Sequence, residues 1–170
     1  DALTGLLNRG EWMRRLASQH RWLGRFGEPF GLLMIDIDHF KSVNDSQGHE
    51  VGDKLLQEIA KRVRSAVRPD DVVVRMGGDE FVVVLHGAKT HDEINSAAGR
   101  INAVMAAPLV VDGRAIATTV SIGVSVFPRE GQTMGELLKH SDTAMYQAKD
   151  SGRNNFQVFS PLMDKLIKER

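Results

Sequence analysis

Two β-branched runs, Val72–Val74 and Phe81–Leu85, stand on either side of Arg75-Met76-Gly77-Gly78-Asp79-Glu80. A Gly-Gly pair between such runs predicts a β-hairpin, because glycine reaches backbone conformations that a tight reversal needs. The hairpin commits the sheet to at least one antiparallel pair. A second apolar run, Phe30–Ile37, is compact and ends in acids, the pattern of a buried strand. Helical periodicity marks residues 6–24, through Leu7, Trp12, Leu16 and Leu23, with Gly27, Glu28 and Pro29 breaking it. It recurs over 50–67, through Val51, Leu55, Leu56, Ile59, Val63 and Val67, and Arg68-Pro69-Asp70 ends that helix. Residues 39–48 read as a loop or short helix with turn chemistry at Asn44-Asp45 and Gly48. Further helices fall over 91–106, through Ile94, Ala98, Ile101 and Met105, and over Met134 to Asp150. Val110–Arg114 reads as a short hairpin leading into a strand over Ala117–Val126. Phe156–Phe159 reads as a terminal strand, and Leu162–Arg170 as the start of an exit helix. Strands and helices intermix, so the expected fold is an α/β sandwich with a mixed sheet.

At 170 residues the chain fits one domain with a real core. Its 42% apolar and 26% charged content excludes disorder and fibrous repeats. Lys plus Arg and Asp plus Glu are both 22, so the formal net charge is zero. That speaks against a long nucleic acid held in a basic field, but not against a small anion held by a metal and a few aimed groups. Without cysteine there is no disulfide, thiolate metal site or cysteine nucleophile. No apolar run approaches the ~20 residues of a membrane span. Asp1-Ala2-Leu3-Thr4 shows no basic leader. A chain that opens without Met, inside a motif, is expected to be part of a longer protein.

The chemistry concentrates in two acidic pairs. Asp36-Ile37-Asp38 closes the first buried run, and carboxylates rarely sit there unless paired or metal-bound. Asp79-Glu80 follows the Gly-Gly turn. If the hairpin lies beside the first strand, the two pairs meet at one edge. They would repel until one took up a proton or a hard divalent cation entered, and an all-oxygen donor set favours Mg²⁺ or Mn²⁺. The plainer alternative is that each acid simply ends a strand, and spacing alone leaves the two readings level. Gly77 and Gly78 also let another molecule approach the backbone closely.

Gly77-Gly78-Asp79-Glu80-Phe81 spells the signature of the GGDEF family, the diguanylate cyclases, and other segments resemble that family in the same order. Asp1–Arg9 is similar to its opening. Asp36-Ile37-Asp38-His39-Phe40-Lys41, with Asn44-Asp45, Gly48-His49 and Gly52-Asp53, is similar to its nucleotide-binding stretch. Ser121–Val124, Ala144–Lys149 and Gly152-Arg153-Asn154 complete the set, so the resemblance spans residues 1–159. It implies a palm-like α/β domain over 1–160, with a mostly antiparallel central sheet flanked by helices, and a tail over 161–170. It implies condensation of two GTP into cyclic di-GMP and two pyrophosphates, at the interface of a homodimer, with Mg²⁺ or Mn²⁺ as cofactor.

The resemblance assigns Asp36, the Ile37 carbonyl, Asp79 and Glu80 to the metal, with Asp79 and Glu80 as the catalytic acids. It assigns Asn44 and Asp53 to guanine, and Lys41, Lys149 and Arg153 to the triphosphate, assisted by Phe40 and the Gly77-Gly78 backbone. The Phe40 ring itself is expected in the core. Lys149 and Arg153 are four apart, which would align them on one helical face if the last helix continued. Asp38 is left a structural role. Arg68-Pro69-Asp70-Asp71 resembles the family's inhibitory Arg-x-x-Asp site for cyclic di-GMP, with Arg100 as a further contact. An upstream sensor domain and a catalytic domain facing the cytoplasm are expected. The rival readings are a non-catalytic nucleotide sensor and a cyclase making another cyclic dinucleotide. The histidines show no metal-ligand spacing, and the tryptophans and methionines read as packing.

Overall fold

The computed structural model describes residues 1–18, 29–86, 88 and 90–163. The elements are β1 (Leu7–Asn8), α1 (Arg9–Ser18), β2 (Phe30–Ile37), α2 (Phe40–Gln47), α3 (His49–Ala66), β3 (Val72–Gly77) and β4 (Glu80–Leu85). After them come α4 (His91–Val104), β5 (Leu109–Val111), β6 (Arg114–Ile116), β7 (Val120–Phe127), α5 (Met134–Asp150) and β8 (Phe156–Val158). Six strands form one sheet in the order β1-β3-β4-β2-β7-β8, while β5 and β6 pair separately. The central pairings are antiparallel, and only the two edge strands run parallel to their neighbours.

The sheet is covered on both faces, which makes the expected α/β sandwich. Leu33, Ile35, Ile37, Phe81 and Val83 pack against Leu55, Ile59 and Val63 of α3 and Ile94 and Ile101 of α4. Leu32, Met34, Val82 and Val84 pack on the other face against Trp12 of α1 and Leu137 and Met145 of α5. β2 is buried along all eight residues, so its unbroken apolar run follows from having helices on both sides. Each fully buried Leu, Ile or Phe there contributes about 1.5–3 kcal/mol of hydrophobic stabilisation.

The alternation Ser121-Ile122-Gly123-Val124-Ser125 on β7 has a specific use. Ile122 and Val124 face α3 and α4. The small residues face α5, which lies close enough for the Ser125 hydroxyl to reach Leu137 O at 2.8 Å and the Ser141 hydroxyl at 2.6 Å. At Gly123 a Cβ would strike Ser141 O and Met145 N and come within 2.9 Å of Met145 Cα, so only glycine fits. Two threonines cap helices by accepting N–H bonds at 3.1 Å, Thr90 from Glu93 on α4 and Thr133 from Glu136 on α5.

The elements differ from expectation at the chain ends. The first helix begins at Arg9, not residue 6, because Leu7 and Asn8 pair with Val74 and Arg75 as an edge strand too short to show any period. Its expected continuation over 19–24 lies outside the described residues, as does the exit helix beyond 163; residues 161–163 are helical. Residues 39–48 contain the helix α2. The last helix stops at Asp150, so Lys149 and Arg153 do not share a helical face.

Candidate active site

The site forms where β2 ends beside the hairpin turn. Antiparallel registry sets Asp36 opposite Glu80 on one side and Ser121 on the other. A bulge between Arg75 and Gly77 lets the turn fold back so that the Ile37 N–H donates to Asp79 O at 3.2 Å. Gly78 takes φ +50, a left-handed value that glycine adopts without penalty, and no atom lies within 4 Å of where a Cβ would stand at Gly77 or Gly78. The tip is therefore open to close approach by another molecule. Arg75 Nη2 braces it, donating to Gly78 O at 2.9 Å while Nη1 reaches Asp1 Oδ2 at 3.3 Å. The sequence reading gave Arg75 no role, and its position two residues before the Gly77-Gly78 turn was the available signal.

The convergence of acids follows from this registry. Asp36 is 5% exposed, and its Oδ1 is buried with no hydrogen-bond partner. Burial first, and then the facing Asp79 carboxyl, push Asp36 up to about 6, against the opposing pull of Lys149. Glu80 is also raised, by desolvation and by the charges of Asp36 and Asp142. Lys149, from the last turn of α5, pairs with Asp36 Oδ2. Asp142 is the acid that sequence reading missed. It lies seven residues before Lys149 on α5, and its own carboxyl is raised by burial, opposed by Lys149.

This donor set fits a hard divalent cation. It holds a buried carboxylate oxygen without a donor, a second carboxyl facing it, a third acid opposite in the ladder and only oxygens to offer. Among the described residues no three acids or histidines stand together as a ready-made cage. An ion would rest on the Asp36 and Asp79 carboxylates, with Glu80 and the Ile37 carbonyl beside them.

The remaining candidates divide into two groups. Lys41 is exposed at the start of α2, and Arg153 is exposed in the turn after α5, with φ +64. Phe40 packs its ring into the core at 9% exposure, as expected. Asn44 Oδ1 is buried without a partner against Gly52, where any Cβ would collide with it, and Asp53 follows exposed on α3. Arg68, Asp71 and Arg100 lie apart from these, around a cavity of about 220 Å³ between the α3–β3 turn and α4. Asp71 also closes its own turn: Oδ2 accepts the Arg68 N–H at 3.0 Å and Oδ1 the His86 N–H at 2.9 Å. Arg100 Nε donates to Ala66 O at 3.3 Å. Among the described residues no helix is long and apolar enough to cross a membrane.

The domain is thus a helix-covered sheet with an acid cluster and an open glycine turn at one strand end. Residues 1–155 match the family "Diguanylate cyclase, GGDEF domain", and the chain belongs to that family of enzyme domains. The response regulator PleD of Caulobacter vibrioides is 43% identical over 91% of this chain and 34% of PleD. The GGDEF domain of TpbB from Pseudomonas aeruginosa superposes with a TM-score of 0.93 at 36% identity, covering 99% of this chain and 98% of that one. The GGDEF domain of DgcB from Caulobacter crescentus, solved in complex with c-di-GMP, gives a TM-score of 0.82 at 27% identity over 93% and 94% of the two chains. The chain spans about a fifth to a third of the length of the curated relatives it matches.

Proposed function

We propose that this domain condenses two GTP molecules into cyclic di-GMP. In each half-reaction the 3′-oxygen of one nucleotide attacks the α-phosphorus of the other, pyrophosphate leaves, and the hydroxyl proton passes to base. The carrying observation is the convergence of Asp36, Asp79, Glu80 and Lys149 below an open Gly77-Gly78 turn. The reading is supported by the family match and by the DgcB complex with c-di-GMP.

Asp36, the Ile37 carbonyl, Asp79 and Glu80 would hold Mg²⁺ or Mn²⁺. When bound, such an ion lowers the hydroxyl pKa and neutralises charge on the leaving oxygens. Glu80, its affinity for protons raised by burial, is suited to take the 3′-hydroxyl proton. Lys149 would exchange part of its contact with Asp36 for phosphate, and Lys41 and Arg153 would flank the same anion with the Phe40 and glycine backbone. Asn44 and Asp53 would read the guanine edge, the exposed Asp53 carboxylate accepting from its N–H groups. Each domain over 1–160 would bind one GTP, so two must face each other as a homodimer. Longer flanking sequence with an upstream sensor accords with the short share of its relatives that this chain spans, and the catalytic domain would face the cytoplasm because its substrate would be GTP.

Incubation of the concentrated domain with Mg²⁺ and GTP, followed by mass spectrometry, tests the proposal. Cyclic di-GMP and pyrophosphate are expected. Bound GTP without product, even after forced dimerisation, would indicate a nucleotide sensor, and a mixed cyclic dinucleotide would overturn the guanine assignments. The cavity around Arg68, Asp71 and Arg100 is proposed to bind product and restrain the enzyme. Arg68→Ala is expected to raise the inhibitory concentration of cyclic di-GMP about tenfold or more, since a guanidinium fork contributes about 1.5–3 kcal/mol. Initial rates should stay within about twofold, and unchanged inhibition would remove this site.

A further inference from the structure

Asp38 is a buried acid that the proposed chemistry does not use. It is 5% exposed, one residue beyond β2. Its Oδ1 accepts the Ser121 hydroxyl at 2.6 Å, and its Oδ2 accepts the Thr119 hydroxyl at 2.6 Å and the Asn154 backbone N–H at 3.1 Å. Its own N–H donates to Thr119 O at 2.9 Å. Two of these partners lie at the start of β7, and the third lies in the turn after α5.

That turn is strained. After Gly152, both Arg153 and Asn154 hold positive φ, 64° and 50°. Left-handed backbone costs an ordinary residue such as Arg153 about 1–2 kcal/mol, while Asn154 adopts it more readily, so the Arg153 conformation persists where surrounding bonds hold the turn. The Arg153 N–H donates to Ala148 O at 3.0 Å, which ties the turn to the helix. The Asp38 carboxylate ties it to the strand that carries Asp36. A carboxylate accepting an N–H makes a stronger bond than a neutral acceptor does, which suits it to that task.

We propose that Asp38 is a positioning residue: through the Asn154 N–H it locks the strained Arg153-Asn154 turn and so aims the Arg153 guanidinium at the nucleotide phosphates. This rests on the phosphate role given to Arg153 above. Asp38 then acts on nucleotide affinity only through Arg153. A purely structural acid would affect stability with no dependence on residue 153.

The test is a double-mutant cycle read as the affinity of the domain for Mg²⁺ and α,β-methylene-GTP, whose α–β bridge cannot be cleaved, by titration calorimetry. Asp38→Ala is expected to weaken binding about 5–10-fold, and Arg153→Ala at least as much. The double variant should be no weaker than Arg153→Ala, within about twofold. Asp38→Asn should restore most of the affinity, since its amide oxygen can keep Thr119 and Asn154 while its NH₂ donates to Ser121. Multiplying losses in the double variant, or an Asp38→Asn as weak as Asp38→Ala, would overturn the proposal. Unchanged affinity in Arg153→Ala would overturn the phosphate reading itself and this inference with it, an outcome visible separately in that single variant. If Asp38→Ala does not fold, Asp38→Ser, which keeps a hydroxyl for Thr119 or Ser121 but is too short to hold the Asn154 N–H, replaces it in the same cycle with the same expectations.

Discussion

Asp36→Asn is expected to abolish cyclic di-GMP synthesis, by about 10³-fold or more, while leaving the metal-free domain as stable as before or more so. The loss follows from removing a charge that would hold the metal at the developing and leaving oxygens. The stability effect follows from the sign of the shift. The folded state raises Asp36 from 3.8 to about 6. Its favourable contribution is thus complete below pH 3.8 and is lost as pH rises through about 6, so at pH 7.5 the ionised group opposes folding. A neutral amide removes that opposition. Lys149 loses a partner, but it is 31% exposed and can turn to water. After allowance for solvent screening the gain is about 1 kcal/mol at most, equivalent to about 2–4 °C. Thermal melts in chelator at pH 7.5 and pH 5, with turnover assays on the same protein, check both halves. A destabilised but active variant would refute the metal assignment of Asp36.

Gly123→Ala is expected to produce the largest loss of stability among single-atom additions, about 3 kcal/mol or more, seen as a fall in melting temperature of about 6 °C or more. A Cβ at Gly123 meets backbone of α5, not the end of a side chain: Ser141 O, Met145 N and Met145 Cα. Relief requires moving the whole helix, and α5 carries Lys149 and Asp142, so binding of Mg²⁺ with GTP should weaken too. Gly99→Ala is the matched control. It lies within α4, its nearest neighbour would be Phe156 Cε1 at 3.9 Å, and better helix propensity should stabilise it by about 0.5–1 kcal/mol. Equal effects of the two substitutions would show that α5 does not press on β7 as described.

Much of this arrangement was legible in the chain. β2 and α5 were delimited correctly from apolar run and helical period, because both are long and bury a defined surface. The meeting of Asp36 with Glu80 followed once the hairpin was placed beside β2. What escaped was set by tertiary contact or by a single backbone angle. β1 has two residues and no period. Arg153 left the helical face because the chain turns at Gly152, φ +110, and that turn is held from another strand. The Lys149–Asp36 pair joins residues 113 apart, and the i, i+7 relation of Asp142 to Lys149 gains meaning only once α5 is set against β2. The structural work of Asp71 in its own turn was likewise invisible beside its resemblance to a ligand contact.

The position of β2 between β4 and β7 has a consequence for control. Its side chains alternate strictly between two helical layers, so a slip of one residue would send Asp36 into the α3–α4 layer and Ile35 or Ile37 toward Lys149. No graded movement of this strand exists. An incoming signal that changes the site without unfolding the sheet would therefore have to reach it through the segments at its rim, such as the open Gly77-Gly78 tip, and not by shifting β2 itself.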